Sequence, residues 1–252
     1  MSVEIVVPVS GGKDSQCCLE LAIEEAGAGS VRGLFNDTQF EHPVVYQHID
    51  YIRRYYGVQI DRVCAGSVDE VCRKAGRFPG GGARHCTREL KIVPSRRYYR
   101  ALSEEQGGFQ VWIGVRQQES EARKERYSGR VDGELYLPHE VFTDEPKYLA
   151  AAGVRYRLPI VEWTTAEVLG RLEGRENPLY RAGFDRVGCF PCLASGDGKK
   201  RQAFYFDEFG RSQLERVRGL EEELGRSVWE SQRSRVRAEN QELFTDGPGC
   251  SL

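Results

Sequence analysis

Short apolar runs and longer amphipathic stretches alternate through the first two thirds of the chain. Glu4–Val9, Val31–Phe35, Ile60–Cys64, Gln110–Val115 and Tyr156–Val161 are apolar runs bounded by turn residues. That is the pattern of strands buried on both faces of a parallel sheet. Ser15–Glu25, Pro43–Tyr56, Thr87–Ala101 and Thr165–Leu172 read as helices, the last introduced by the capping-box pattern Thr164-x-x-Glu167. The alternation predicts an α/β fold with a doubly wound, mostly parallel sheet and a site at the strand C-termini. Residues 128–153 carry no clear period and read as a long loop or small insertion. Beyond Cys192 the pattern changes. Leu214, Val217, Leu220 and Leu224 recur at helical spacing among charged residues, which predicts an amphipathic helix. The predicted organisation is a main domain over 1–195 and a helical C-terminal extension over 196–252.

Composition narrows the class. The chain has 252 residues, 40% hydrophobic and 29% charged, enough for one large domain with a solvated surface. No apolar run approaches the roughly 20 residues of a membrane helix. The chain opens directly on a predicted strand, with no leader-like segment, so the expected location is the cytoplasm. In that reducing setting the eight cysteines read as ligands, nucleophiles or core residues rather than disulfides. The net charge of −2 hides an asymmetry. Nine Lys or Arg lie between Arg73 and Arg100 against the single acid Glu89, whereas Asp132–Glu145 holds five acids and no Lys or Arg. The basic segment could face an anionic nucleotide or a nucleic-acid backbone, or be a solvated face.

The chemistry concentrates at Ser10-Gly11-Gly12-Lys13-Asp14-Ser15, between the first strand and the first helix. Two glycines let backbone N–H groups approach an anion, Ser10 and Ser15 bring hydroxyls, Lys13 brings charge, and the helix N-terminus faces the same point. The spacing is not that of a Walker loop. Asp37 ends the second strand, where a carboxylate could orient Mg²⁺ or a ribose, or cap the next segment. Arg116 follows the fourth strand, and its planar fork suits a bidentate grip on phosphate or sulfate. Ser120 could hydrogen-bond the same anion, while Glu119 and Arg123 have the spacing of an ordinary helical ion pair. Cys189-Phe190-Pro191-Cys192 is a C-x-x-C loop, and His85-Cys86 stands far upstream. Iron–sulfur, zinc and metal-free thiols are all open to such a set. Cys17 and Cys18 read as packing residues. Cys250 reads as a tail thiol with nothing nearby to activate it. Trp163 and Tyr180 read as scaffold aromatics, used in packing rather than base stacking.

Taken in order, these segments resemble the phosphoadenylyl-sulfate (PAPS) reductase-like PP-loop family. The resemblance rests on SGGKDS, on Asp37-Thr38 followed by Pro43, and on the Gly114–Arg123 segment. It extends through Pro159–Trp163 and Asn177–Phe184 to the cysteine loop, so it spans Ser10 to Cys192. One departure is His85, which stands where iron–sulfur members carry the first cysteine of a pair. The resemblance implies a Rossmann-like PP-loop fold and an adenine nucleotide, ATP or a sulfonucleotide (PAPS or adenylyl sulfate), as ligand. Ser10, Gly11, Gly12, Lys13, Asp14, Ser15, Asp37, Arg116 and Ser120 would bind it, with Lys13, Asp14 and Arg116 as the catalytic set. It implies Mg²⁺ and a 4Fe-4S cluster on Cys86, Cys189 and Cys192, with one iron left open or with His85, Cys64 or Cys72 as fourth ligand, and zinc as the alternative metal. The implied activity is an adenylating ATP pyrophosphatase that transfers sulfur. The alternatives are a true sulfonucleotide reductase releasing sulfite, and a non-catalytic nucleotide-binding subunit of a nucleic-acid modification complex. The implied partners are a nucleic-acid acceptor or a sulfur-donor protein, with self-association as a homo-oligomer and no membrane.

Overall fold

The computed structural model describes residues 2–80 and 84–229. Cys250 lies outside them. The chain divides into two compact units, one of Met1–Ser67 with Arg88–Cys189 and one of Val68–Thr87 with Phe190–Leu252.

The first unit is built on five parallel strands, β1 (Ile5–Pro8), β2 (Val31–Asp37), β3 (Gln59–Cys64), β4 (Gln110–Trp112) and β5 (Arg155–Arg157), in the order β3-β2-β1-β4-β5. Successive side chains of β1 point to opposite faces, as period-two alternation requires. Ile5, Val7 and Val9 join Cys17, Cys18, Leu19, Ile49, Ile52, Val168 and Leu172 in one core. Those partners come from α1 (Lys13–Ala26), α2 (Pro43–Tyr56) and a later helix, Thr165–Leu172. Val6, on the other face, joins Tyr99, Leu102, Tyr127, Tyr136, Leu149 and Leu158. Both faces of the sheet are therefore covered, which is what the unbroken apolar runs anticipated. Cys17 and Cys18 are fully buried packing residues, and burial pushes the Cys17 thiol up to about 12.

Order 3-2-1-4-5 reverses direction at β1. The chain leaves β1 toward β2 and β3 on one side and returns to β4 and β5 on the other. The loops after β1 and β4 therefore diverge, and the crevice between them is where doubly wound sheets take their ligands.

Three local departures from the predicted pattern have physical causes. The helix foreseen over Thr87–Ala101 is broken by a π-turn at Arg88–Ile92 before it continues as Val93–Gln106. Pro94 has no N–H to give to the preceding turn and so interrupts the ladder. The fifth strand stops at Arg157 rather than reaching Val161. Pro159 cannot donate, and Val161 N–H turns back to the Leu158 carbonyl at 3.1 Å. Residues 128–153 fold into two short helical turns, Pro138–Val141 and Lys147–Ala151.

In the second unit, helices Val68–Ala75, Asp197–Phe204 and Glu208–Leu224 pack together. The amphipathic helix buries Leu214, Val217 and Leu220 as its spacing predicted. Arg73 pairs with Glu223, and Arg216 with Asp69 at 2.6 Å. No helix of the described residues is long and apolar enough to cross a membrane.

Candidate nucleotide site

The turn from β1 into α1 is the SGGKDS segment. Gly11 sits at φ +75, a left-handed backbone that favours glycine, and a Cβ there would come within 2.9 Å of Val45 Cγ1. The loop is wired through its hydroxyls. Ser10 N–H donates to Ser15 Oγ at 3.2 Å, Gly12 N–H to Ser10 Oγ at 3.4 Å, and Ser15 Oγ–H to the Gly12 carbonyl at 2.9 Å. A hydroxyl that accepts from a loop amide can rotate to share a bound anion at little cost, so this wiring suits an anion cradle.

Lys13, Asp14 and Arg116 meet at this turn. Lys13 Nζ donates to Asp14 Oδ2 at 2.8 Å, and Arg116 Nε donates to Asp14 Oδ1 at 2.6 Å. Asp14 is therefore held between two cations. Arg116 is only 3% exposed, and its Nη1 also donates to the Trp163 carbonyl at 3.3 Å and to Gln118 Oε1 at 3.4 Å. The residue expected to grip the ligand is thus engaged in fixing Asp14 and the β4 loop. Gly114 explains the approach of that loop. A Cβ on it would lie 2.9 Å from the backbone of Asp14 and 3.1 Å from Ser15 N.

Asp37 is at the end of β2, as expected, and is fully buried. Tyr46 Oη donates to it at 2.7 Å, Arg62 Nε at 2.9 Å and the Gln39 N–H at 2.9 Å. Burial alone would raise this carboxyl, but those donors outweigh it and hold it below its ordinary value. Ser120 is exposed and caps the helix Glu121–Arg126, accepting Arg123 N–H at 3.3 Å. Glu119 and Arg123 form the helical ion pair that their spacing suggested.

Beside the loop lies a cavity of about 200 Å³. Ser10, Phe35, Ile92, Ser95, Ile113 and Gly188 are among its walls, which are mostly apolar. Of the predicted nucleotide-binding residues only Ser10 lines it. Ser120 lines a different cavity, of about 350 Å³, with Gln117, Lys124 and Thr164.

The candidate metal ligands are split between the units, Cys189 in the first and Cys86, Cys192 and His85 in the second. None of the seven described cysteines is in a disulfide. Cys189 Sγ lies 3.3 Å from Thr38 Oγ1 and 3.8 Å from Glu41 Oε1. Among the described residues, no group of three or more His, Cys, Asp and Glu side chains stands in metal-binding geometry. A cluster assignment therefore rests on the chemistry of the thiols.

The pattern of β1, glycine turn and α1 at a sheet reversal, with a basic β4 loop against it, can be compared with known proteins. The model of the phosphoadenosine phosphosulfate reductase domain matches residues 4–195. The chain belongs to that family. Among its relatives, an uncharacterized protein of Methanocaldococcus jannaschii is 27% identical over 198 residues, covering 77% of this chain but only 37% of the archaeal protein. An uncharacterized 37.8 kDa protein of Escherichia phage 186 is 28% identical over 256 residues, covering 79% of this chain and 70% of its own length. In three dimensions the chain is similar to the PAPS reductase of Candida auris, crystallised as a phosphate complex. The TM-score is 0.51 at 17% identity, over 74% of this chain and 81% of that one, which is a likeness of fold.

Two contributors to this PAPS reductase-family site were missed by the sequence reading. Tyr180 Oη accepts the Lys13 N–H at 3.0 Å across 167 residues of sequence, and Asn177 is buried behind Gly11. The only sequence signal was the Asn-Pro-Leu-Tyr segment itself. Its aromatic was assigned to packing because nothing local shows where its hydroxyl points.

Proposed function

We propose that the SGGKDS loop binds the phosphates of an adenine nucleotide and that the adjoining cavity takes the base. The observation that carries this is Ser10, which belongs at once to the anion-binding turn and to the wall of an apolar cavity. A flat purine favours such walls, and a triphosphate favours backbone amides at a helix N-terminus.

The reaction this arrangement supports best is adenylation. A nucleophile on an acceptor attacks the α-phosphorus of ATP in line, the bond to the β-phosphate oxygen breaks, and pyrophosphate leaves. Lys13, with Ser10 and Ser15, would stabilise the charge that develops on the phosphate oxygens. On binding, Lys13 exchanges Asp14 for phosphate, and Arg116 keeps Asp14 in place as a positioning residue. Asp37 is held by Tyr46 and Arg62, and Asp14 keeps Arg116; Mg²⁺ would be carried by the nucleotide's phosphates and would supply charge neutralisation of the leaving pyrophosphate. Ser120, which lines another cavity, would add a hydroxyl to the same ligand.

Cys86, Cys189 and Cys192 would hold an iron–sulfur cluster, with His85 a candidate fourth ligand and zinc the alternative metal. Thiols outside any disulfide are the donors both metals take. When bound, a cluster with an open iron supplies a place for sulfide. The acceptor would be a nucleic acid or a sulfur-donor protein.

The family name favours a second reading, reduction of a sulfonucleotide with release of sulfite. The two part in one assay. Protein incubated with ATP, Mg²⁺ and acceptor extract should release pyrophosphate and form AMP. Sulfite formed from PAPS or adenylyl sulfate with a thiol donor, and no pyrophosphate from ATP, would replace adenylation by reduction.

A further inference from the structure

The turn Asn177–Tyr180 presses on the phosphate loop from far away in the sequence. Tyr180 Oη lies 3.2 Å from where a Cβ on Gly12 would sit, and it accepts the Lys13 N–H at 3.0 Å. The backbone of Val187 hydrogen-bonds the same phenol. The Lys13 N–H bond occupies a lone pair of the oxygen and leaves its hydrogen to be given. Burial, opposed by the Lys13 and Val187 backbone bonds, pushes the phenol up to about 12. At neutral pH the hydroxyl therefore keeps its hydrogen. Lys13 Nζ stands 5.5 Å from the centre of the same ring, so a cation and a hydroxyl flank one turn of the loop.

Asn177 supplies an independent sign that this turn faces a ligand. Its side chain is fully buried, its Oδ1 accepts Leu179 N–H at 3.0 Å, and its Nδ2 has no partner. That Nδ2 lies 3.8 Å from where a Cβ on Gly11 would sit. An unmet buried donor is costly, a cost that a bound anion and a small loop adjustment would remove. Two side-chain donors thus stand at the two glycines of one loop, and one of them, Asn177 Nδ2, is unmet.

We infer that Tyr180 is a phosphate-binding residue: its hydroxyl donates to a phosphate oxygen of the ligand held by SGGKDS, while the Lys13 N–H fixes that hydroxyl from behind. The inference rests on the nucleotide reading and adds to it a donor from outside the loop. It makes the Asn177–Tyr180 turn a wall of the cradle rather than scaffold.

The test uses inorganic pyrophosphate and adenosine as separate probes, titrated calorimetrically against the full chain. Tyr180→Phe should weaken pyrophosphate about tenfold, the size of one hydrogen bond to a charged group, and leave adenosine within twofold. A second variant separates donor from prop. 3-Fluorotyrosine placed at position 180 is a stronger donor and a weaker acceptor. It should tighten pyrophosphate binding if the hydroxyl donates to the anion, and loosen it if its task is only to accept from Lys13. Unchanged pyrophosphate affinity in Tyr180→Phe, equal loss of both probes, or loosening by fluorination would overturn the inference while the nucleotide reading stands. A wild-type chain that binds neither ATP nor pyrophosphate would overturn both.

Discussion

Replacing Lys13 by alanine is expected to cut nucleotide turnover about a thousandfold and to weaken ATP binding about a hundredfold, with little loss of stability. The size follows from removing a buried cation from the point where charge builds on the phosphates, where a single donor is typically worth factors of 10²–10³. Lys13 is 7% exposed, so its charge acts in a poorly screened setting. Stability should hold because Asp14 retains the Arg116 guanidinium at 2.6 Å after its lysine is gone. Lys13→Arg should recover part of the binding and little of the turnover, since a planar guanidinium does not put its charge where the compact lysine ammonium does. Steady-state rates and calorimetric ATP affinities on the three proteins measure this. A Lys13→Ala protein within twofold of wild type would remove the loop from the chemistry.

Gly114→Ala should be the most damaging single methyl in the first unit's site. Its Cβ would meet the Asp14 backbone at 2.9 Å and Ser15 N at 3.1 Å. No rotamer change relieves a collision between two backbones, so either the β4 loop or the first turn of α1 must move. Overpacking of this kind costs about 1–3 kcal/mol, or a melting point lower by roughly 2–12 °C in a chain of this size. The displacement falls on the Asp14–Arg116 bond and on the loop amides, so ATP affinity should fall further than stability alone would require. Thermal unfolding and ATP titration of the variant check both parts. A variant that melts and binds like wild type would mean that the close approach of β4 to α1 is not needed by the site.

Both expectations depend on features that the sequence made visible to different degrees. The five strands and the helices Pro43–Tyr56 and Thr165–Leu172 were legible because apolar runs and periodic faces repeat over enough residues. The capping box was legible too, and Thr164 and Glu167 form it reciprocally. The helices Val68–Ala75, Glu121–Arg126 and Asp197–Phe204 were not. Their segments are dominated by charge, and tertiary packing rather than periodicity holds them. The loop was legible because its glycines, hydroxyls and lysine are contiguous. Arg116 was legible as a guanidinium at a strand end, while its bonds to Asp14 and to the Trp163 carbonyl were not, because those partners come from separate elements. Asp37 was placed correctly at the end of β2, while its donors Tyr46 and Arg62 came from separate elements. Tyr180 was hidden for the same reason, since its partner lies 167 residues away.

Photo-crosslinking with 8-azido-ATP tests the central claim most directly, because it reports where the nucleotide sits. Labelling that unmodified ATP suppresses should map to the walls of the cavity that shares Ser10 with the loop, on the segments around Leu34–Asn36 and Lys91–Ser95. It should disappear in Lys13→Ala. Suppressible labelling confined to the Gln117–Lys124 cavity, or labelling that Lys13→Ala leaves intact, would contradict the assignment of SGGKDS and its neighbouring cavity as the nucleotide site.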